Sequence, residues 1–268
     1  MSHSDTGRYH ALSIAGSDSC GGAGIQADIK TINALGVEAA SVLTAITAQN
    51  TSGVSAVTVL DADMVQAQLD AVLDELPIAA AKTGMLANDK IIERVADSIV
   101  KARNMALVID PVMVATSGAR LLSVNAERAL RDRLLPLADL VTPNRPEAAV
   151  LTGLDANAPA DELAAALLAL GCRAVLVKGG HGSGEMVEDL LAIGEQRLSF
   201  RHPRLPASVH GTGCALSAAI TAQLALGQTL DAAVESGIDW LQARLSDSWK
   251  TATGELSMLP FAGEAARP

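Results

Sequence analysis

The sequence predicts an α/β fold: a mostly parallel sheet flanked by helices. Three observations predict it. Short apolar runs alternate with segments of helical periodicity along most of the 268 residues, which is how successive βαβ units read. The apolar runs are unbroken rather than alternating, as expected of strands covered on both faces. The glycine-rich and polar stretches fall just after the runs, and open α/β sheets bind ligands at the carboxyl ends of their strands.

Each element follows in order. "ALSIA" (11–15) is the first predicted strand and residues 23–35 the first helix. "ASVLTAIT" (40–47) and "SAVTVL" (55–60) predict two further strands, and Met64, Val65, Leu69, Val72 and Leu73 repeat at helical spacing over 61–75. Strand "IAAAK" (78–82), a helix over 88–103 and strand "ALVID" (106–110) come next. A helix over 125–135, strand "ADLVT" (138–142), helices near 145–152 and 159–170, and strand "AVLVKGG" (174–180) continue the alternation. Residues 186–202 read as a hairpin turning at Gly194-Glu195, and helices over 213–226 and 229–245 close the fold. There is no repeat or linker, so a single domain over 1–268 is expected, with terminal tails at 1–9 and from about 250 to 268.

Composition narrows the function. The only aromatics are Tyr9, Phe200, Trp240, Trp249 and Phe261, which excludes a site of stacked rings. A net charge of −10 argues against nucleic acid, whose backbone is bound by neutralising phosphates. An anionic ligand would need backbone N–H groups, a few lysines and a metal. Cys20, Cys172 and Cys214 are odd in number and widely spaced, which fits free thiols in a reducing cytosol. His210 and Cys214 stand four apart, too few for the usual four-ligand zinc site. The start "MSHSDTGRYH" has no apolar core, and no run reaches the about 18 apolar residues of a membrane span. A cytoplasmic location is expected.

The motifs point to phosphate chemistry. "GSDSCGGAG" (16–24) leads from a strand into a helix, bracketed by Asp18 and Asp28, and reads as a substrate loop with close backbone approach. Gly22-x-Gly24-x-x-Ala27 fits a dinucleotide fingerprint, but the second strand ends at Thr47 without the acid that would hold a ribose. No Walker loop and no G-x-S-x-G elbow occur. Asp110 ends the most clearly buried strand, a poor place for a carboxylate that serves packing. In "TPNRPEA" (142–148), Asn144 and Glu147 stand three apart. They suit a capping box and, together with Asp110, a hydrated Mg²⁺. Lys178 lies at a strand end within reach of a phosphate. Gly211, Thr212 and Gly213 precede an apolar helix whose first N–H groups favour an anion. The same field is expected to lower the pKa of Cys214.

On these blocks the chain resembles the ribokinase-like kinases, with their three-layer fold, and within them the hydroxymethylpyrimidine/phosphomethylpyrimidine kinases of thiamine biosynthesis. "AGSDSCGGAGIQADIKT", "TAITAQNT", "KTGML", "VIDPVM", "TPNRPEA", "VLVKGGH" and "HGTGCALSAAI" occur in the family's order. The resemblance implies ATP-dependent phosphorylation of 4-amino-5-hydroxymethyl-2-methylpyrimidine, then of the monophosphate. It implies that Gln49 reads the pyrimidine, with Gly16 and Asp28 at the same pocket and Met85 and Val112 as walls. Lys178 and the N–H groups of Gly211, Thr212 and Gly213 would hold the transferring phosphate. Asp110, Asn144 and Glu147 would organise Mg²⁺, largely through water. Cys214 stands where the sugar kinases carry an aspartate base, and would take or orient the substrate's hydroxyl proton. Family members are commonly dimers, so a homodimer is expected, with no nucleic-acid or membrane partner.

Two positions depart from the family pattern: Cys20, where Ser is usual, and Ala207-Ser208-Val209, where more polar residues are common. The competing readings are a pyridoxal-type kinase, a non-catalytic ligand-binding domain on the same fold, and a nicotinamide-linked oxidoreductase.

Overall fold

A computed structural model describes residues 9–102, 104–113, 122–180, 184–204, 209–252 and 257–261. The N-terminal tail up to residue 8, residues 181–183 and Ala207-Ser208 lie outside the described residues.

An eight-stranded sheet forms the frame. Its strands are β1 (His10–Ala15), β2 (Glu38–Leu43), β5 (Ile78–Thr83), β6 (Ala106–Ile109), β7 (Leu140–Val141), β8 (Ala174–Val177), β9 (Met186–Ile193) and β10 (Gln196–Pro203). Their spatial order is β10-β9-β8-β7-β6-β5-β1-β2. Strands β2, β1, β5, β6, β7 and β8 pair in parallel, and the β9–β10 hairpin adds an antiparallel edge. β3 (Ala45–Asn50) and β4 (Gly53–Val59) form a separate two-stranded sheet.

The pleat distributes the strand residues between two helical layers. Leu12, Ile14, Leu107, Ile109, Val175 and Val177 point into one core. There they meet α2 (Ala62–Glu75), α3 (Asp89–Lys101), α4 (Val124–Ala129), α5 (Arg145–Thr152) and α6 (Ala160–Leu168). Their neighbours Val108, Leu140, Ala174 and Leu176 point the other way, to α7 (Thr212–Ala225) and α8 (Leu230–Leu245). Ala11 and Ala80 lie on that second face too, against Ala218 and Ala222 of α7 and Ile32 of α1 (Gly24–Ala34). Small residues on both sides let α7 lie close to the sheet. The three-layer α/β fold expected from the sequence is therefore present.

Three elements differ from expectation. The run 40–47 is two strands in two sheets, broken at Thr44. The Thr44 N–H donates to the Ala15 carbonyl at 3.0 Å, and its hydroxyl to the Met85 carbonyl at 2.6 Å. Those bonds turn the chain out of the main sheet, so β3 and β4 stand over the strand ends as a hairpin. The helix expected over 125–135 stops at Ala129 and continues as a π turn and a 3-10 turn that carries Pro136, since proline cannot supply the helical N–H. The C-terminal stretch expected to be a tail contributes β11 (Trp249–Lys250) and β12 (Ser257–Met258), with Met258 and Leu259 buried. Its Ser257 pairs with Val209, and the His210 N–H donates to the Ser257 carbonyl at 2.9 Å.

Candidate active site

The carboxyl ends of β1, β5, β6, β7 and β8 converge on the N-terminus of α7. They enclose a cavity of about 1200 Å³. Of the residues singled out in the sequence, Gly16, Gln49, Met85, Val112, Asp110, Asn144, Glu147, Lys178 and Gly211 through Cys214 all line it.

Asp28 does not reach the cavity wall. It is fully buried in α1, paired with the equally buried Lys82 of β5 at 2.7 Å and accepting the Ser13 hydroxyl at 2.6 Å. Burial alone would push its carboxyl up, and Lys82 acts against that. A buried charge needs such a partner. Its place in the pyrimidine pocket is therefore corrected: Asp28 anchors the sheet to α1. Lys82 was missed because its partner is 54 residues away in sequence.

The central constellation is Asp110, Lys178 and the start of α7. The bridge between Asn144 and Lys178 and the bond from the Lys178 N–H to the Pro143 carbonyl extend the β7–β8 pairing. They carry Lys178 to the strand end. Its ammonium lies 3.2 Å from Asp110 Oδ1, while Asp110 Oδ2 accepts the Ser217 hydroxyl at 3.1 Å. Asp110 and Glu147 keep Lys178 protonated, against the opposing effect of burial. α7 begins on Gly211 at φ +79°, with no side chain among the described residues capping it. A Cβ at Gly211 would fall 1.7 Å from the Gly22 carbonyl oxygen. Both the left-handed backbone and the space therefore demand glycine. A Cβ at Gly213 would lie 3.4 Å from the Lys178 ammonium. The bare turn leaves the first N–H groups and the helix dipole facing the lysine.

Asn144 and Glu147 form a complete capping box. The Asn144 amide oxygen accepts the Glu147 N–H at 2.8 Å, and Glu147 accepts the Asn144 N–H at 2.8 Å. Capping and cavity lining coexist here. The Glu147 carboxyl is raised to about 7: removal from water raises it most, Lys178 opposes this and Asp110 adds to it. Each carboxylate already has a protein partner, so this donor set fits a cation that keeps its waters.

Cys214 departs from expectation. Burial pushes its thiol up to about 12; Lys82 opposes this, while Asp28 and Asp110 add to it. The helix start is outweighed by desolvation and two nearby carboxylates, so the resting group is a thiol.

The other end of the cavity is built by the 16–24 loop, β3 and His210. Gly16 and Gly24 line the cavity and are also closely packed from behind. A Cβ at Gly16 would meet Met85 at 2.2 Å, and one at Gly24 would meet the Gly16 carbonyl at 2.4 Å. Asp18 collects the N–H groups of Cys20, Gly22 and Ala23 at 2.7–3.0 Å and the His210 ring at 2.9 Å. Burial works to raise the Asp18 carboxyl, but these bonds outweigh it and hold it below its usual range. Gln49 follows an irregularity in the β3 register that re-aims its side chain. Its amide lies 3.4 Å from the His210 Nε2. Asp18 and His210 were legible only as loop residues, because their pairing spans 192 positions.

Nearly the whole chain has known relatives. A family model described as phosphomethylpyrimidine kinase matches residues 18–258. The hydroxymethylpyrimidine/phosphomethylpyrimidine kinase of Rhizobium meliloti is 49% identical over 249 residues, 91% of this chain and 93% of that protein. Among solved structures, the phosphomethylpyrimidine kinase of Clostridium difficile is 40% identical with a TM-score of 0.79, over 89% of this chain and 100% of that one. The pyridoxal kinase of Staphylococcus aureus in complex with pyridoxal is 32% identical with a TM-score of 0.87, over 95% and 93%. With the motifs in order, the strand ends converging on one cavity and the match running almost end to end, the chain belongs to the phosphomethylpyrimidine kinase family.

Proposed function

We propose that this chain phosphorylates the hydroxymethyl group of 4-amino-5-hydroxymethyl-2-methylpyrimidine with ATP, and then the resulting monophosphate to the diphosphate, as a single kinase unit in thiamine biosynthesis. The observation that carries the reading is the pairing of Lys178 with Asp110 opposite the uncapped start of α7, inside a cavity whose far wall holds Gln49.

Phosphoryl transfer asks mainly for positioning and charge stabilisation. Lys178 offsets the charge on the transferring phosphate, and the N–H groups of Thr212, Gly213 and Cys214 hold its oxygens. Asp110 keeps the lysine aimed and protonated. The apolar end of the cavity, with Leu216, Ile238, Leu241 and Leu245, suits the adenine. Asp110, Asn144 and Glu147 would hold Mg²⁺ through its water shell. That ion would supply charge neutralisation between phosphates. Gln49 presents both an amide donor and an acceptor, the pattern an aminopyrimidine edge requires. Met85 and Val112 flank the ring. The Cys214 thiol orients the hydroxyl toward the phosphate; with its pKa near 12 it does not carry off the proton in the resting state. We further infer a homodimer working in a reducing cytosol, in keeping with three free thiols and with the absence, among the described residues, of any helix able to cross a membrane.

One observation favours a second reading. The pyridoxal kinase superposes with the higher TM-score, 0.87 against 0.79, although its identity is lower, 32% against 40%. Mass spectrometry of each alcohol incubated with ATP and Mg²⁺ decides. Gains of one and then two phosphates on the pyrimidine are expected. A single gain on pyridoxal and none on the pyrimidine would reverse the assignment.

A further inference from the structure

We infer that Asp18, Cys20 and His210 form a capture site for a soft divalent cation of the zinc type, and that a cation held there excludes the pyrimidine. The exclusion rests on the proposed reading of Gln49; the cation site does not.

Three different donor atoms converge. A carboxylate oxygen, a thiol sulfur and an imidazole nitrogen all lie within 4.8 Å of one another. Asp18 Oδ2 is their hub, 2.9 Å from His210 Nε2 and 3.4 Å from Cys20 Sγ. Zinc bonds of about 2.0–2.3 Å place tetrahedral ligands about 3.3–3.8 Å apart, so small shifts complete three corners.

The ligands are already held. The N–H groups of Cys20, Gly22 and Ala23 fix the Asp18 carboxylate. The His210 ring packs so closely that a Cβ on Gly22 would meet its Cδ2 at 2.6 Å. Access comes from both sides. Asp18 and His210 line the large cavity. Cys20 lines a second cavity of about 330 Å³ with Lys30, Thr51 and Trp249. The cluster is thus the wall between the two.

The cation bonds the thiolate, whose proton passes to solvent, and the Nε2 lone pair, with the imidazole proton carried on Nδ1. Among the described residues, His210 Nδ1 is buried without a partner. Metal-bound histidines normally donate that N–H, so binding here is reversible and weaker than at a structural zinc site. Thiolate and imidazole favour zinc-like ions, whereas Mg²⁺ prefers oxygen. The ATP-bound Mg²⁺ therefore does not compete. Gln49 lies 3.4 Å from the same Nε2, so a cation there places charge against the group that reads the ring.

Titration of the full chain with Co²⁺ tests the site through thiolate-to-cobalt charge-transfer absorption. One equivalent should bind in the wild type and in Cys214→Ser, and the band should vanish in Cys20→Ser. Zn²⁺ titrated into the kinase reaction at excess Mg²⁺ and ATP should raise KM for the pyrimidine at unchanged kcat. Cys20→Ser should need about tenfold more Zn²⁺ or higher for the same effect, relative to its own zinc-free rate. A band that survives Cys20→Ser, or is lost in Cys214→Ser, overturns the site. A band that follows Cys20 with no change in pyrimidine KM overturns the exclusion and, with it, the Gln49 assignment, while the cation site stands.

Discussion

Two lysine–carboxylate pairs sit at neighbouring strand ends, and they differ in almost everything but composition. Lys82 and Asp28 are both 0% exposed, 2.7 Å apart, with the second Asp28 oxygen taken by Ser13. Lys178 and Asp110 are 15% and 2% exposed and 3.2 Å apart, and the lysine faces the cavity. The first pair has no room for a ligand. The second leaves a cation with spare donors beside an uncapped helix. The same two residue types are cement in one place and, on the proposed reading, chemistry in the other; solvent access and unused hydrogen-bonding capacity make the difference.

That contrast can be broken experimentally, and the sealed pair gives the largest effect. Lys82→Met strands a buried carboxylate and should cost about 3–5 kcal/mol in denaturant unfolding. Adding Asp28→Asn should recover most of it. A Lys82→Met protein that kept its stability but lost turnover would move this pair into the reaction. At the open pair, Lys178→Met should lower kcat by about 10²–10³, the cost of removing one preorganised donor, with a smaller loss of stability than Lys82→Met because Asp110 keeps the Ser217 hydroxyl and lines the cavity. Cys214→Ala should cost less than about a hundredfold in kcat, below the range expected of a general base. A larger loss, with a rate that climbs with pH, would restore the thiol as base.

The smallest effect is a pH slope. Glu147 titrates at about 7 in the fold against 4.5 ordinarily. The folded chain therefore keeps a proton between those values that the unfolded chain has released. Its contribution to stability is full below about 4.5 and lost as pH rises through about 7. In metal-free protein, the stability of the wild type minus that of Glu147→Gln should fall across that window. A flat difference would mean that Glu147 titrates as an ordinary carboxyl.

Much of this was legible in the sequence, for physical reasons. Strands buried on both faces leave unbroken apolar runs, so most sheet elements and their helices were readable. Asp110 and Lys178 stood out because a charge at the end of such a run has little packing role. Gly211 stood out as the step into an apolar helix. The break at Thr44 was not legible, because the apolar run passes straight through it and only bonds to Ala15 and Met85 turn the chain. Asp28 was misplaced for want of its distant partner. The Cys214 shift had the wrong sign because the helix start is a local feature, whereas burial beside Asp28 and Asp110 is not.

The contact of Gly22 with both His210 and Met258 has a consequence for synthesis. A loop near the start of the chain meets a segment near its end at the same wall. Sheet and helices can assemble as they emerge, since growing chains fold from the N-terminus. The wall around Gly22 and His210 is finished only when residues around 258 have left the ribosome. A nascent chain stalled before that point would lack the Met258 side of that wall.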